Sequence, residues 1–266
     1  MNAPRSVEVA QDSISYYCDH VAGKTLDDYS STYEHQMMLI KKIAPVQANA
    51  RILEVGCGTG WFTVLARRAG FDAVGMDLAE RVVRFAARER AAEGGVKAHF
   101  LSADAEALPF DDGHFDVLIA NSVLEHVPEW RTFLKEVHRV LVPGGVALLG
   151  TGNRCYPISG EIDFPLYPWL PFGLQKRIAV AKRGPDILKT NHIAWNNFTH
   201  RSLRRALIAS GFGHVHDLVD VTEPDDVRTE RRRQAARVVL PIAKRFRLVR
   251  WLLFWSFSST VFLVQK

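Results

Sequence analysis

Cysteine is scarce in this sequence. Cys18, Cys57 and Cys155 are odd in number, widely spaced and free of any CxxC pair. That spacing excludes a disulfide framework or a structural zinc site, and a reducing, cytoplasmic setting is expected. No cluster has metal-ligand spacing, so no metal is expected either. The opening MNAPRSVEVAQDS has no apolar run, and a secretory signal peptide is therefore not expected. Internal repeats and low-complexity tracts are missing. So is a run long enough to cross a bilayer, which takes about 20 apolar residues. The best candidate, Leu248 to Val264, has 17 residues and is interrupted by Arg250, Ser256, Ser258, Ser259 and Thr260.

What is present looks globular. With 47% hydrophobic and 24% charged residues over 266 positions, the chain is suited to one large α/β domain or two small ones. The net charge of +5 is uneven: Arg228 to Arg250 holds nine Lys/Arg and one acid, a local +8 that leaves −3 for the rest. The basic character therefore belongs to one element near the C-terminus. Along the chain, residues 6–46 read as short helices, the last of them ended by Pro45. From RILEV onward, strand and helix patterns alternate: FDAVGMD, VKAHFLSAD, FDVLIANS and VALLGTG as strands, with amphipathic helices between them. WRTFLKEVHRVLVPGG reads as a helix stopped by Pro-Gly-Gly. Alternation of this kind, with nearly continuous apolar strands, predicts a doubly wound, mostly parallel sheet with helices on both faces. Its ligand crevice lies at the C-terminal ends of the strands. After Gly152 the rhythm breaks. Pro157, Pro165, Pro168 and Pro171 interrupt an aromatic and aliphatic stretch, after which HRSLRRALIASGF reads as a helix and HVHDLVDV as a strand.

The chemistry-bearing residues begin at EVGCGTG. Gly56, Gly58 and Gly60 follow a strand directly and open a helix, where glycine permits positive φ and close approach to a ligand. The spacing is GxGxG, neither the GxGxxG of nicotinamide sites nor the GxxxxGK(S/T) of a phosphate loop. Asp77 closes the next strand, 17 positions beyond Gly60, and Asp104-Ala105 closes the third. An acid at the end of the second strand is placed to bind ribose hydroxyls.

Together with MDLA, SADAEALPFDDGHFD, ANSVLEHV and LVPGG, this set resembles the class I S-adenosylmethionine-dependent methyltransferases. The nearest subgroup includes quinone-biosynthesis and small-molecule or lipid methyltransferases. The likeness is close over about residues 50–150 and looser over 195–220 and 258–266. It implies a seven-stranded sheet whose last strand, SSTVFLVQK, is antiparallel, and S-adenosyl-L-methionine as cofactor. Glu54, Gly56, Gly58 and Gly60 would hold its methionine part, Asp77 the ribose, Leu78 the adenine face, Asp104 and Ala105 the adenine edge, and Asn121 would lie under the methionyl chain. The N-terminal segment closes over the cofactor in the family, which brings in Tyr16, Tyr17, Tyr29 or Tyr33. The implied division is a single domain: a helical cap (1–48), a cofactor-binding core (49–152), a substrate-side insertion (153–198), and a C-terminal helix and strands (199–266) with a basic, apolar helical insertion (223–257).

Transfer to an alcohol or phenol needs a base. His126, in LEHV, is the first candidate, and His192 and His200 are alternatives. Each reads equally as a packing histidine. Cys57 reads as a small filler of the loop. The sequence does not choose among oxygen, nitrogen and carbon acceptors. Nucleic acid is not expected as a partner. The Asp/Asn/Ser-Pro-Pro-aromatic motif of amino-methylating enzymes is replaced by NSVL, and no Pro-Cys nucleophile is near. The greasy insertion and the basic, apolar C-terminal segment instead favour O-methylation of a small, lipid-like or lipid-linked acceptor, with peripheral contact to anionic membrane at its inner face. A catalytically silent binding module attached to a membrane is the competing reading. Pro241 is expected to break the C-terminal insertion into two helices, packed either on their own domain with a solvated basic face or on lipid.

Overall fold

The computed structural model describes residues 24–158, 162, 164–185, 187, 194, 196–227, 229–255 and 257–266. Seven strands form one sheet: β1 (Arg51–Val55), β2 (Asp72–Asp77), β3 (His99–Ser102), β4 (Phe115–Asn121), β5 (Leu141–Gly152), β6 (His214–Asp217) and β7 (Ser259–Gln265). Their order is β3-β2-β1-β4-β5-β7-β6. The first five pair in parallel, and β7 is antiparallel to both β5 and β6, as the sequence predicts. The helices are α1 (Leu26–Ile43), α2 (Trp61–Arg68), α3 (Glu80–Phe85, continued through a π turn at Ala86–Arg90 to Ala91–Gly94), α4 (Trp130–Val140), α5 (Phe172–Arg183), α6 (His200–Ala209), α7 (Leu218–Val221), α8 (Glu230–Arg245) and α9 (Arg247–Trp255).

The central strands are apolar almost throughout because both faces are covered. Alternate residues feed two cores. Leu53, Leu118, Leu149 and Phe262 point to the side of α4 and α6, where Phe133, Val137, Leu203 and Leu207 meet them. Ile52, Ile119, Leu148 and Leu263 point to the side of α1 and α2, against Ile40 and Phe62. The period-2 pattern thus decides which helix each strand residue meets. At its start, α1 is held by Asp28, whose carboxylate accepts the Thr25 N–H at 2.8 Å, and by Glu93, which accepts the Leu26 N–H at 2.6 Å.

Three local expectations are corrected. The helix before LVPGG ends at Val140; Leu141 is already extended and pairs with Phe115, so LVPGG begins β5. Its glycines find partners at the chain end, where Gly144 N–H donates to Lys266 O and Lys266 N–H to Gly145 O. HVHDLVDV is strand only to Asp217, whose carboxylate accepts the Val219 N–H at 2.9 Å and so caps α7. Pro241 does not break the insertion. It sits exposed inside α8, where its ring removes one hydrogen bond at the surface, and the break falls at Phe246, in extended conformation.

The insertion is fastened to the sheet by a buried charge. Asp217, fully inaccessible, is reached by Arg250 Nη2 at 2.5 Å and by His200 Nε2 at 2.8 Å, and Arg250 also reaches Asp220 at 2.6 Å. Burial pushes the Asp217 carboxyl up, but the His200 and Arg250 bonds outweigh it and hold the group below its ordinary value. The His200 ring stacks on Phe254 at 3.7 Å and on Phe262 at 4.8 Å. Removing one partner of such a cluster strands a buried carboxylate, at a cost of about 3 kcal/mol. Arg250→Ala is therefore expected to lower the urea midpoint, with a loss of unfolding free energy of about 3 kcal/mol. Arg250→Lys should recover only part of it, because the two-sided fork is lost. A midpoint equal to wild type in Arg250→Ala would show that the cluster does not hold the insertion.

Candidate active site

In the sheet order, chain direction reverses its march between β1 and β4, and the loops following those two strands form the crevice. Gly56, Gly58 and Gly60 have φ of +69°, +50° and +77°, the left-handed region that L side chains avoid. Two of them also face protein. A Cβ on Gly56 would collide with Val123, and one on Gly60 would lie 2.6 Å from the Phe100 ring. Val123 belongs to the loop after β4, so the two walls of the crevice touch where glycine allows it. That β4 loop carries a further backbone oddity: Ser122, next to Asn121, has φ of +54° without being glycine. Such strain is tolerated where the surroundings over-determine it. Here the Ser122 N–H donates to Gly150 O at 2.9 Å.

Two carboxylates lie beneath the loop. Asp77 accepts the Gly58 N–H at 3.0 Å on one oxygen and the Ala79 N–H at 3.0 Å on the other. Each oxygen keeps a second lone pair, so the group has room for two further donors, which a ribose diol supplies. Burial raises its pKa, partly offset by the backbone N–H groups of Ala79, Gly58 and Leu78 and by the His126 charge. Glu54 is buried and accepts both the N–H (3.0 Å) and the Oγ1–H (2.6 Å) of Thr63. Burial, with Asp77 adding to it, pushes the Glu54 carboxyl up to about 8. A buried Glu54 whose ionisation is resisted suits a ligand bringing its own positive charge. S-adenosylmethionine, with an ammonium, a sulfonium and a ribose diol, fits that donor set.

The remaining candidates divide by place. Asn121 ends β4 beside Gly150, within the same crevice. His126 lies close enough to Asp77 for its charge to favour the ionised carboxylate there. Leu78 and Ala105 are half-buried near the ends of β2 and β3, and Asp104 closes a turn by accepting the Glu106 N–H at 2.9 Å. His200 is bound to Asp217 on β6, four strand positions from β1, or roughly 19 Å across the sheet at about 4.8 Å per strand. His192, Tyr16 and Tyr17 lie outside the described residues. Tyr33 packs in the core against Phe62, where burial pushes its phenol up to about 12. Tyr29 stacks on Trp61, the residue directly after the glycine loop, at 4.8 Å.

Sequence reasoning missed the residues that hold the His126 loop. Asn196 Nδ2 donates to Leu124 O at 3.1 Å and Val127 O at 2.7 Å, gripping the loop on either side of the histidine. Buried Glu125 accepts the Thr151 hydroxyl at 2.7 Å. A charged residue between Leu124 and His126 was the available signal for Glu125; Asn196, 70 positions beyond His126, had none.

Residues 53–149 match a family described as "Methyltransferase domain". Over these residues the chain is thus similar in sequence to methyltransferase domains. Among curated relatives, it is 37% identical over 120 residues to the demethylmenaquinone methyltransferase of Lactococcus lactis, covering 44% of this chain and 47% of that protein. It is 33% identical over 116 residues to the ubiquinone biosynthesis O-methyltransferase of Bordetella avium, covering 43% and 48%. The chain thus spans about half the length of the curated relatives it matches. In fold, it is similar to an S-adenosylmethionine-dependent methyltransferase from Mesorhizobium loti, with a TM-score of 0.58 and 21% identity over 91% of this chain and all of that one. The matched stretch takes in the end of β1, the glycine loop, Asp77, Asp104 and the His126 loop, and α5 to α9 lie beyond it.

The raised Glu54 pKa has a consequence for this domain without cofactor. The folded state holds a proton that the unfolded chain releases near the ordinary value of 4.5. Stability from this group is therefore complete below that value and falls as pH rises to about 8. Glu54→Gln, which mimics the protonated form, should remove the slope. Melting of both proteins across this window, in cofactor-free buffer, should show wild type losing stability relative to the variant. Parallel curves would mean that Glu54 is ionised throughout.

Proposed function

We propose that this chain transfers a methyl group from S-adenosylmethionine to an oxygen of a small, apolar, lipid-like acceptor. The observation that carries this reading is the junction of the glycine loop with Asp77: three left-handed glycines, with the Gly58 N–H held by the carboxylate that closes β2. When bound, S-adenosylmethionine supplies an activated methyl group together with its leaving group.

The protein's own share is binding, alignment and proton removal. Glu54 ionises opposite the ammonium and, with Gly56, Gly58 and Gly60, holds the methionine part. Asp77 takes the ribose hydroxyls, Leu78 covers the adenine, Asp104 and Ala105 meet its edge, and Asn121 lies under the methionyl chain. His126 accepts the proton of the acceptor hydroxyl. Its loop is clamped by Asn196 and Glu125, which keep the ring beside the crevice and add to the geometric alignment that transfer requires. The apolar character of the 153–198 sequence supports an apolar acceptor. The named activities of the curated relatives, on demethylmenaquinone and in ubiquinone biosynthesis, support the same class.

Incubation with methyl-labelled S-adenosylmethionine and fractionated cell extract tests the reading. Label in an apolar product, lost in His126→Ala with cofactor affinity kept, is expected. Cofactor binding without label in any fraction would point to a silent binding module. For the cofactor site, Asp77→Ala should weaken S-adenosylhomocysteine binding in calorimetric titration by roughly 2–4 kcal/mol while the fold persists. Gly58→Val should abolish binding, because a β-branched residue does not adopt the loop's φ. Unchanged affinity in either folded variant would remove these residues from the site.

A further inference from the structure

The second half of the insertion, α9, is apolar on both sides. Its inner side, with Val249, Leu253 and Phe254, packs on Val219 and Ala243. A helix with one partner normally shows a polar outer face. Here Leu248, Trp251, Leu252 and Trp255, at i, i+3, i+4 and i+7, form an outer stripe with exposures from 40% to 67%. Trp169, before α5, extends it: its ring lies 6.2 Å from that of Trp255, and Trp251 lies 5.1 Å from Trp255 on the other side. Trp169 and Trp255 also line a shallow cleft with Arg154, Cys155 and Thr199. Part of the basic charge is already neutralised, since Arg233, Arg237, Lys244 and Arg250 pair with acids of this chain. Arg245 and Arg247 flank the break between α8 and α9, are exposed, and meet no carboxylate among the described residues.

We propose that this face docks on an anionic lipid bilayer, with Trp169, Trp251 and Trp255 at headgroup depth and Arg245 and Arg247 on lipid phosphates. Charge selects this occupant. The stretches Phe164 to Arg183 and Arg231 to Lys266 contain no Asp or Glu at all, and thirteen Lys or Arg. A second copy of the chain would set arginine against arginine, whereas an anionic surface meets them with the opposite sign and accepts the tryptophans too. No described helix is long and apolar enough to cross a membrane, so the contact is peripheral. The cleft between Trp169 and Trp255 would then open toward the lipid.

Flotation of the full chain with phosphatidylcholine vesicles, with and without phosphatidylglycerol, tests this independently of any methyl transfer. The expected result is binding to the phosphatidylglycerol vesicles that weakens as salt is raised, with tryptophan emission quenched by brominated lipid. Arg245→Glu with Arg247→Glu should reduce the partition at least roughly tenfold. Trp251→Ser with Leu252→Ser should do the same. All four side chains are exposed, and a melting point equal to wild type would verify the fold of both variants. Arg250 is left intact because it holds Asp217. Failure to float at low salt would overturn the proposal. So would equal binding to neutral vesicles that ignores the arginines, or a dimer in solution dissolved by Trp251→Ser with Leu252→Ser without any vesicle binding.

Discussion

The burial of Glu54 and Asp77 under one glycine loop is the constraint from which the rest of the site follows. Burial opposes the ionisation of both carboxylates, and the charge of Asp77 adds to the opposition at Glu54. The fold meets part of that cost with hydrogen bonds that only this local backbone provides: the Gly58 and Ala79 N–H groups for Asp77, and the Thr63 N–H and hydroxyl for Glu54. The left-handed glycines are needed for the same reason, since they turn the Gly58 N–H toward the end of β2. What the protein leaves unfavourable is the ionised form of Glu54, which a cationic ligand would favour. Under this reading, cofactor binding and loop conformation are one electrostatic problem.

The legibility of the sequence follows the range of each interaction. The alternation of apolar strands with amphipathic helices is a local signal, and it points to the sheet and its parallel core, while the antiparallel last strand is implied only by the family resemblance. EVGCGTG and Asp77 were legible because the glycines, the strand end and the acid lie within 24 positions of one another. The errors have local explanations too. Pro241 was given the weight of a buried helix breaker, but it is exposed. HVHDLVDV was read by its hydrophobicity, although Asp217 turns the chain by capping α7.

Long-range partners left no trace. Asp217 and Arg250 lie 33 positions apart, and the role of His200 depends on both. A histidine at a helix start has the same local pattern whether it serves a crevice or an ion cluster. Only the placement of β6 at the far edge of the sheet separates it from the glycine loop. The same holds for the grip of Asn196 on the His126 loop: the sequence points to the histidine, while the residue that orients it comes from the other side of a long apolar insertion.

The insertion between β6 and β7 has two apolar sides on one helix, and this limits how its residues can be separated. Arg250 and Phe254 are spaced i, i+4 and face inward, where the first binds Asp217 and the second stacks on His200. Trp251 and Trp255 are each one position later, about 100° around the helix, and face outward. Deleting the segment would release the buried Asp217 and the His200 stack together with the outer stripe, so loss of lipid contact in such a deletion would carry no information about the stripe. The inner residues explain why the helix is held against the sheet. They do not explain why its far side is apolar. An outer face of Lys, Glu or Gln would leave the packing on Val219 and Ala243 unchanged and would be more soluble. The stripe therefore answers to something outside the domain's own stability, and its tryptophans, bordered by Arg245 and Arg247, have the composition that a lipid headgroup layer accepts.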